Sequence, residues 1–141
     1  MRGEAITRLQ RQVTWSVERE ASSDSFHAPH SHAPQSTEGD TMSAQIRRSS
    51  RSVCANVAEA WRKRRYPKNF VSKLSDADSE AAETQVWLDF SLHFGYLSVE
   101  IYEELVDRYN HTCSQLSLMM EEPEKWMPRK TATTQNRKRN S

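Results

Sequence analysis

The sequence predicts an all-α protein, an antiparallel helical bundle of three long helices preceded by a weak N-terminal helix. Between about residues 41 and 126, apolar side chains recur three, four and seven positions apart, which is the period of amphipathic helices. No stretch of the sequence alternates apolar and polar residues as a half-buried strand does. The 141 residues have room for one domain, and because only 35% of them are hydrophobic we expect its core to be thin.

Residues 1–40 form an atypical N-terminal segment. Four apolar residues repeat at helical spacing in its first half: Ile6, Leu9, Val13 and Val17. This stripe is narrow and predicts at most a short helix. From residue 21 to residue 40, Ser, His, Pro and Gly replace the periodic pattern, which is typical of a flexible linker. We therefore expect that deleting residues 1–40 leaves the remaining helices largely intact.

The bundle domain is expected to span residues 41–122. Thr41 is suited to cap the first long helix. That helix should end near Arg64, because the residue before Pro67 is pushed out of the α region. Pro67 itself suits the first position of the second helix, and Gly95 suits the position just beyond its end, where the backbone often turns left-handed.

The third helix is expected to begin after Ser98, a good capping residue, with Glu100 placed favourably in its first turn. Pro123 should stop it. Residues 123–141 are polar and basic, and they predict a disordered tail.

Charge is segregated along the chain. Residues 41–73 contain nine Lys or Arg against one acidic residue, whereas residues 74–124 contain twelve Asp or Glu against one Arg. On the first long helix the basic residues share a strip with small alanines, next to the apolar face, and more follow in the next turn. The basic residues of this surface are Arg47, Arg48, Arg51, Arg62, Lys63, Arg64, Arg65 and Lys68.

Guanidinium groups match phosphate geometry, so a rigid row of them predicts a platform for the RNA backbone. The alternative is that this basic surface pairs with the acidic helices, within the bundle or in a neighbouring subunit.

Asn56, Glu59 and Glu83 are polar residues beside apolar helical positions. They could form a buried polar network that determines how the helices pack. Two carboxylates alone do not predict catalysis, since no nucleophile, orienting partner or Gly-rich loop accompanies them. We therefore expect neither enzymatic activity nor a cofactor.

Two further patterns have structural as well as functional interpretations. An H-x-x-H-x-H cluster at residues 27–32 could attract a transition metal, but its linker offers no scaffold, which favours adventitious binding only. Trp87, Phe90 and Phe94 could stack on nucleobases, but their helical spacing favours a place in the core or at a subunit contact.

Localisation is expected to be cytoplasmic. No run of about eighteen apolar residues could span a membrane, and the N-terminus lacks the apolar core of a secretory signal. Cys54 and Cys113 lie inside apolar helical patterns, which is typical of small buried side chains in a reducing compartment and argues against a disulfide.

Residues 43–60, SAQIRRSSRSVCANVAEA, closely resemble the signature of the four helix bundle family first associated with intervening sequences in 23S rRNA genes. In that family a Q-x-R-R-A/S-x-x-S-x-x-x-N-I-A-E-G/A pattern opens the second helix. Two later segments, ETQVWLD at residues 83–89 and GYLS at residues 95–98, are similar to the family's third helix and following turn. The resemblance extends from about residue 41 to residue 120.

This resemblance implies an antiparallel bundle that assembles into a ring-like homopentamer. The similar accessory variability proteins of diversity-generating retroelements offer a basic surface to RNA and to a reverse transcriptase. Carried over by position, the nucleic-acid face comprises Arg47, Arg48 and Arg51. The signature polar residues of the bundle are Asn56, Glu59 and Glu83.

The N-terminus departs from the family, whose members normally begin with a long amphipathic helix and a short loop. Either the weak stripe of residues 1–20 substitutes for that helix, or the chain is a remnant or has a misread start. The second option would leave an apolar groove exposed. Taken together, the sequence predicts a non-catalytic, RNA-binding oligomer. The alternative is a purely structural self-assembling protein whose charged faces mediate subunit contacts.

Overall fold

The computed structural model describes residues 36–129 of the chain. Helix α1 spans Ser36–Lys63, α2 spans Pro67–His93 and α3 spans Val99–Glu121, and a short 3₁₀ helix follows at Pro123–Trp126. Within this range there is no strand, so the predicted all-α class is confirmed. The apolar stripe of residues 6–17, the histidines of residues 27–32 and residues 130–141 of the basic tail lie outside the described residues.

Each of the three helices runs antiparallel to the one before it, and α2 packs against both α1 and α3. Side chains early in α1 meet side chains late in α2, as Met42 does with Ser91, whereas Glu59 near the end of α1 pairs with Lys73 near the start of α2. The core lies between the helices and consists of aliphatic and aromatic residues from all of them. Its largest fully buried members are Tyr109, Phe70, Leu74, Leu88 and Leu116.

Helix α1 begins earlier than the sequence suggested, so the prediction of Thr41 as its N-cap was wrong. Residues 36–40, which had been assigned to a linker by composition, form the first turn of the helix. Gly39 lies against the ring of Tyr96, where a Cβ would come within 3.3 Å of the ring carbons. Residues 36–40 have a weak intrinsic preference for helix, yet they are helical where this segment packs against the α2–α3 connection.

The ends of α2 follow the predicted local signals. Pro67 is its first residue. At the other end Gly95 has a φ of 73°, the left-handed conformation that glycine adopts without strain. The Gly95 N–H donates to the Leu92 carbonyl at 3.0 Å, and the Tyr96 N–H donates to the Ser91 carbonyl at 2.8 Å. These two bonds form the Schellman motif that satisfies the last carbonyls of a helix.

Helix α3 also begins and ends where predicted. The Ser98 hydroxyl accepts a hydrogen bond from the Ile101 N–H at 3.4 Å, and the helix ends before Pro123. Beyond it, however, Trp126 and Met127 pack partly buried against the core. Residues 123–127 therefore do not belong to a disordered tail, because two of their apolar side chains pack against the core of the bundle.

A layer of hydroxyl groups is buried among the apolar side chains between α1 and α2. Ser49, Ser50 and Thr84 are at most 1% exposed. The Thr84 hydroxyl lies 2.8 Å from that of Ser49, across the helix pair, and 2.9 Å from the Glu80 carbonyl. Each serine also donates to a carbonyl of its own helix. Such satisfied polar pairs favour one register of two helices over others.

Candidate nucleic-acid interface

The outer face of α1 carries the predicted basic strip. Arg48, Arg51 and Arg62 are exposed. The alanines between them at positions 44, 55 and 58 are exposed as well. On the opposite side Val53 and Val57 are only 1% exposed, so the helix presents one apolar and one basic face, as its periodicity predicted.

Two arginines in the first half of α1 already bind side chains of α1 or α2. Arg47 is half-buried and donates to the Ser43 hydroxyl at 2.8 Å. Arg48 forms an ion pair with Glu83 of α2 and donates to Gln45 at 3.1 Å. The interpretation that the strip pairs with an acidic helix thus holds for Arg48. Because the Arg48 side chain is 58% exposed, this pair contributes little to stability.

Lys63 and Arg64, at the end of α1, are also held by neighbours. The Lys63 ammonium lies 2.5 Å from the Glu59 carboxylate, one helical turn earlier. Arg64 folds back over Trp61, with its guanidinium carbon 4.0 Å from the ring centroid and a hydrogen bond of 2.7 Å to the Trp61 carbonyl. Both cations keep their charge near the turn, but each has a protein partner already.

Arg62, Arg65 and Lys68 differ from the other basic residues. All three are exposed, and none forms an ion pair with any residue in the range 36–129. They surround the connection between α1 and α2, and the first turn of α2 contains no acidic residue. The structure therefore concentrates uncompensated positive charge at this end of the bundle rather than along the whole strip.

The expected buried network of Asn56, Glu59 and Glu83 does not form. The side chains of Glu59 and Glu83 are 44% and 37% exposed, and each belongs to a separate ion-pair group between α1 and α2. Asn56 donates only to Ser52, at 3.5 Å, within its own helix. Glu59 and Glu83 do form ion pairs between α1 and α2. These pairs lie at the exposed edge of the interface, where water competes with each charged group for its partner.

Glu59 forms the more extensive of these groups. Its carboxylate is shared between Lys63 and Lys73, the latter at 3.1 Å. Hydrogen bonds from these two lysines lower the pKa of Glu59 below its usual value. Bonds to Asp76 and Glu59 in turn raise the pKa of Lys73. Both groups therefore stay charged at neutral pH, which suits an ion pair and does not suit a proton donor.

The two carboxylates are also too far apart to act on one reacting atom. Glu83 pairs at the level of Arg48, and the eleven residues of helix from Arg48 to Glu59 correspond to about 16 Å along the axis. Paired catalytic carboxylates lie within roughly 10 Å of each other. The pairing of Glu59 and Glu83 with lysine and arginine gives them a role in helix packing.

The cysteines and acidic residues offer no alternative centre in the described range. Cys54 and Cys113 are half-buried thiols that do not form a disulfide with each other, and burial together with nearby Asp78 raises the pKa of the Cys113 thiol to about 11. The thiol is therefore protonated at neutral pH and weakly nucleophilic. Within residues 36–129 no group of His, Cys, Asp or Glu is arranged to hold a metal ion. Nor is any of the described helices long and apolar enough to cross a membrane.

The aromatic residues of α2 lie on its surface. Phe90 and Phe94 are 45% and 50% exposed, so of the two expected places, the core and a subunit contact, the structure excludes the core for these two residues. Their ring centroids lie 6.4 Å apart, and Trp87 continues the row 6.0 Å from Phe90. The half-buried Trp87 also donates its indole N–H to Glu83 at 3.2 Å. These rings, with the exposed Val86, form an apolar stripe along the outer face of α2.

Sequence reasoning missed Tyr66, which is 65% exposed at the centre of the basic turn. In the sequence Tyr66 is the residue before Pro67, whose position predicts only the end of a helix. An aromatic residue between arginines and a lysine, in KRRYPK at residues 63–68, was the available signal.

The described helices define an all-α bundle protein with a basic surface at the α1–α2 turn. The chain belongs to the 23S rRNA-intervening sequence protein family, whose profile matches residues 14–118. The match starts well before residue 41, so it includes most of the N-terminal segment of residues 1–40, whose pattern departs from that expected of the family.

The fold is similar to the crystal structure of a protein of unknown function from the S23 ribosomal protein family of Bacteroides thetaiotaomicron. The two structures superpose with a TM-score of 0.68, at 24% sequence identity, over 86% of this chain and 99% of the other. At that identity the likeness concerns the fold alone. Among curated proteins, none matches the chain.

Proposed function

We propose that this protein binds RNA through its phosphates, without catalysing a reaction, and that the α1–α2 turn is the centre of the interface. The observation that carries the proposal is the group of Arg62, Arg65 and Lys68, exposed and without an ion-pair partner among residues 36–129. A cation with no carboxylate partner gives up no ion pair when it contacts a phosphate. The family's link to 23S rRNA intervening sequences makes RNA the first polyanion to test.

The geometry of the turn also suits a polyanion. Arg62 lies in the last turn of α1, and Lys68 is the second residue of α2, so two rigid helix ends hold the cations near one another. Each phosphate contact releases counterions condensed on the RNA, which adds affinity that depends on salt and not on sequence. Arg48 and Arg51, further along the exposed face of α1, extend the surface for a longer strand.

The test is the salt dependence of RNA binding, measured by fluorescence anisotropy of a labelled RNA at increasing KCl. For the wild type, log K should fall linearly with log salt concentration, by about 0.7 to 0.9 per phosphate contact. Replacing Arg62→Gln together with Arg65→Gln should reduce this slope by roughly two contacts. The matched control is Arg48→Gln with Lys63→Gln, which removes the same charge from cations already paired with Glu83 and Glu59.

The control variant should change the slope less than the turn variant does. If the wild type binds with no salt dependence, phosphate contacts do not hold the RNA and the proposal is wrong. If the two double variants weaken binding equally, affinity follows total charge, and the turn has no special part in it.

A second candidate function, self-assembly, is favoured by the apolar stripe of Val86, Trp87, Phe90 and Phe94. Exposed aromatic rows of this kind are typical of subunit contacts. We propose that this stripe mediates association of identical chains, with the pentamer of the family resemblance as the expected state. Light scattering at micromolar concentration tests it. A monodisperse wild-type monomer contradicts it, and Phe90→Ser with Phe94→Ser should shift an oligomer toward monomer.

A further inference from the structure

Tyr66 is presented to solvent from a fixed backbone. It is the N-cap residue of α2, in extended conformation with φ −118° and ψ 98°. Its N–H donates to the Lys63 carbonyl and its own carbonyl accepts from the Phe70 N–H, each at 2.9 Å. The following Pro67 restricts the backbone further. The ring itself is 65% exposed, the largest value among the exposed large hydrophobic residues described.

Basic residues flank Tyr66 along the chain on both sides. Arg62, Arg65 and Lys68 all lie within four residues of Tyr66, and no acidic residue occurs in the sequence between Glu59 and Asp76. Single exposed aromatic residues are common on protein surfaces and need no explanation. An aromatic ring on an anchored turn, among cations without carboxylate partners, has the two components of a single-stranded nucleic-acid site: a stacking platform and phosphate contacts.

From this arrangement we infer that the α1–α2 turn binds an unpaired nucleotide of RNA, with its base stacked on Tyr66 and its flanking phosphates held by Arg62, Arg65 and Lys68. The inference rests on the proposed function and specifies its substrate as single-stranded or looped RNA. In an A-form duplex the base faces are covered by neighbouring pairs, so a side-chain ring cannot reach them. A duplex would meet only the cations.

The experiment compares two labelled RNAs, an unstructured oligouridylate and a fully paired duplex, for four proteins: wild type, Tyr66→Ala, Tyr66→Phe and Val99→Ala. Stacking of one base is worth about 1–3 kcal/mol by alanine substitution, so Tyr66→Ala should weaken oligouridylate binding by about fivefold or more. Its duplex affinity should stay within about twofold of the wild type, because the cations remain.

Tyr66→Phe should bind like the wild type, since stacking needs the ring and not the hydroxyl. Val99→Ala is the control, because Val99 is half exposed at the start of α3, at the opposite end of the bundle from the α1–α2 turn, and lies outside the apolar stripe of α2. Its affinities for both RNAs should stay unchanged. Circular dichroism should show the same helix content in all four proteins, because all three substitutions are at exposed side chains.

The results separate this inference from the proposed function. If Tyr66→Ala weakens both RNAs equally, or neither, while wild-type binding still depends on salt, then stacking at Tyr66 is wrong and the phosphate interface stands. If the wild type binds neither RNA in a salt-dependent way, the proposed function is wrong, and the inference is overturned with it.

Discussion

The most informative stability test concerns the hydroxyl of Tyr109, at the centre of the bundle. The residue is 2% exposed, and its hydroxyl has no hydrogen-bond partner in the described structure. The hydroxyls of Ser50 and Thr84 lie nearby and act to lower the pKa of Tyr109, but neither makes a hydrogen bond of regular geometry with its O–H. Each donates to a carbonyl of its own helix, Ser50 to Arg47 at 3.1 Å and Thr84 to Glu80 at 2.9 Å. Burial is the larger effect and raises the pKa of Tyr109 well above its usual range, so the O–H is a neutral, buried donor without a well-formed hydrogen bond at neutral pH.

Tyr109→Phe should therefore stabilise the protein. A buried polar group without a partner costs about 1–3 kcal/mol relative to its hydrated state. Removing one oxygen leaves a void of roughly 10–15 Å³. At about 24 cal/mol per Å³ that void costs only about 0.3 kcal/mol. The net expectation is a gain of about 1 kcal/mol or more in the free energy of unfolding, opposite in sign to most core substitutions.

Urea denaturation at fixed protein concentration, followed by circular dichroism, measures the change. Tyr102→Phe is the matched control. Its hydroxyl donates to Asp89 at 2.6 Å in an exposed bond, so the same substitution there should cost up to about 1 kcal/mol. If Tyr109→Phe instead destabilises the protein by about 1 kcal/mol or more, the hydroxyl has a partner after all, and the reasoning is refuted.

Three further substitutions test the helix ends and the interhelical contacts. Gly95→Ala places a Cβ in open space but at a φ of 73°, so backbone strain alone should cost about 1–2 kcal/mol, seen as a lower urea midpoint. Thr84→Val removes a buried bond to Ser49 but leaves that serine a carbonyl acceptor, so it should cost about 1 kcal/mol. In a double-mutant cycle with Ser49→Ala, strictly additive losses would show that the bond is not formed. Glu59→Gln tests pH dependence. The lysines paired with Glu59 lower its pKa. The ion pairs therefore stabilise the folded protein fully at a pH above 4.5, the usual pKa of the group, and this stabilisation is lost as the pH falls through the lowered pKa. The melting temperatures of variant and wild type should therefore differ at neutral pH and converge as the pH falls below the lowered pKa of Glu59, and a constant difference would contradict this account.

On the basic surface, the helical wheel predicted which residues are exposed but not which of them form ion pairs. Periodicity placed Arg48, Arg51 and Arg62 on one exposed face, as the structure has them. It could not tell that Arg48 pairs with Glu83, because these residues are 35 positions apart and meet only when α1 and α2 pack. The unpaired group around Arg62 and Arg65 emerges only once the ion pairs inside the bundle are known.

By itself, the sequence determined the helical class, the apolar faces and four of the helix ends. Pro67, Gly95, Ser98 and Pro123 act through their own backbone geometry or capping chemistry, so neighbouring residues suffice to predict their effect. The family was also recognisable from the signature around residues 43–60.

Tertiary structure alone decided where α1 begins, which cations are paired and which aromatic rings stay exposed. Gly39 is helical beside Tyr96, Phe90 lies on the surface despite its helical spacing, and Tyr66 is left open at the turn. Each of these outcomes depends on what another helix or connection places opposite the residue. Local propensity and periodicity describe one helix at a time, whereas burial and ion pairing are properties of helices packed together.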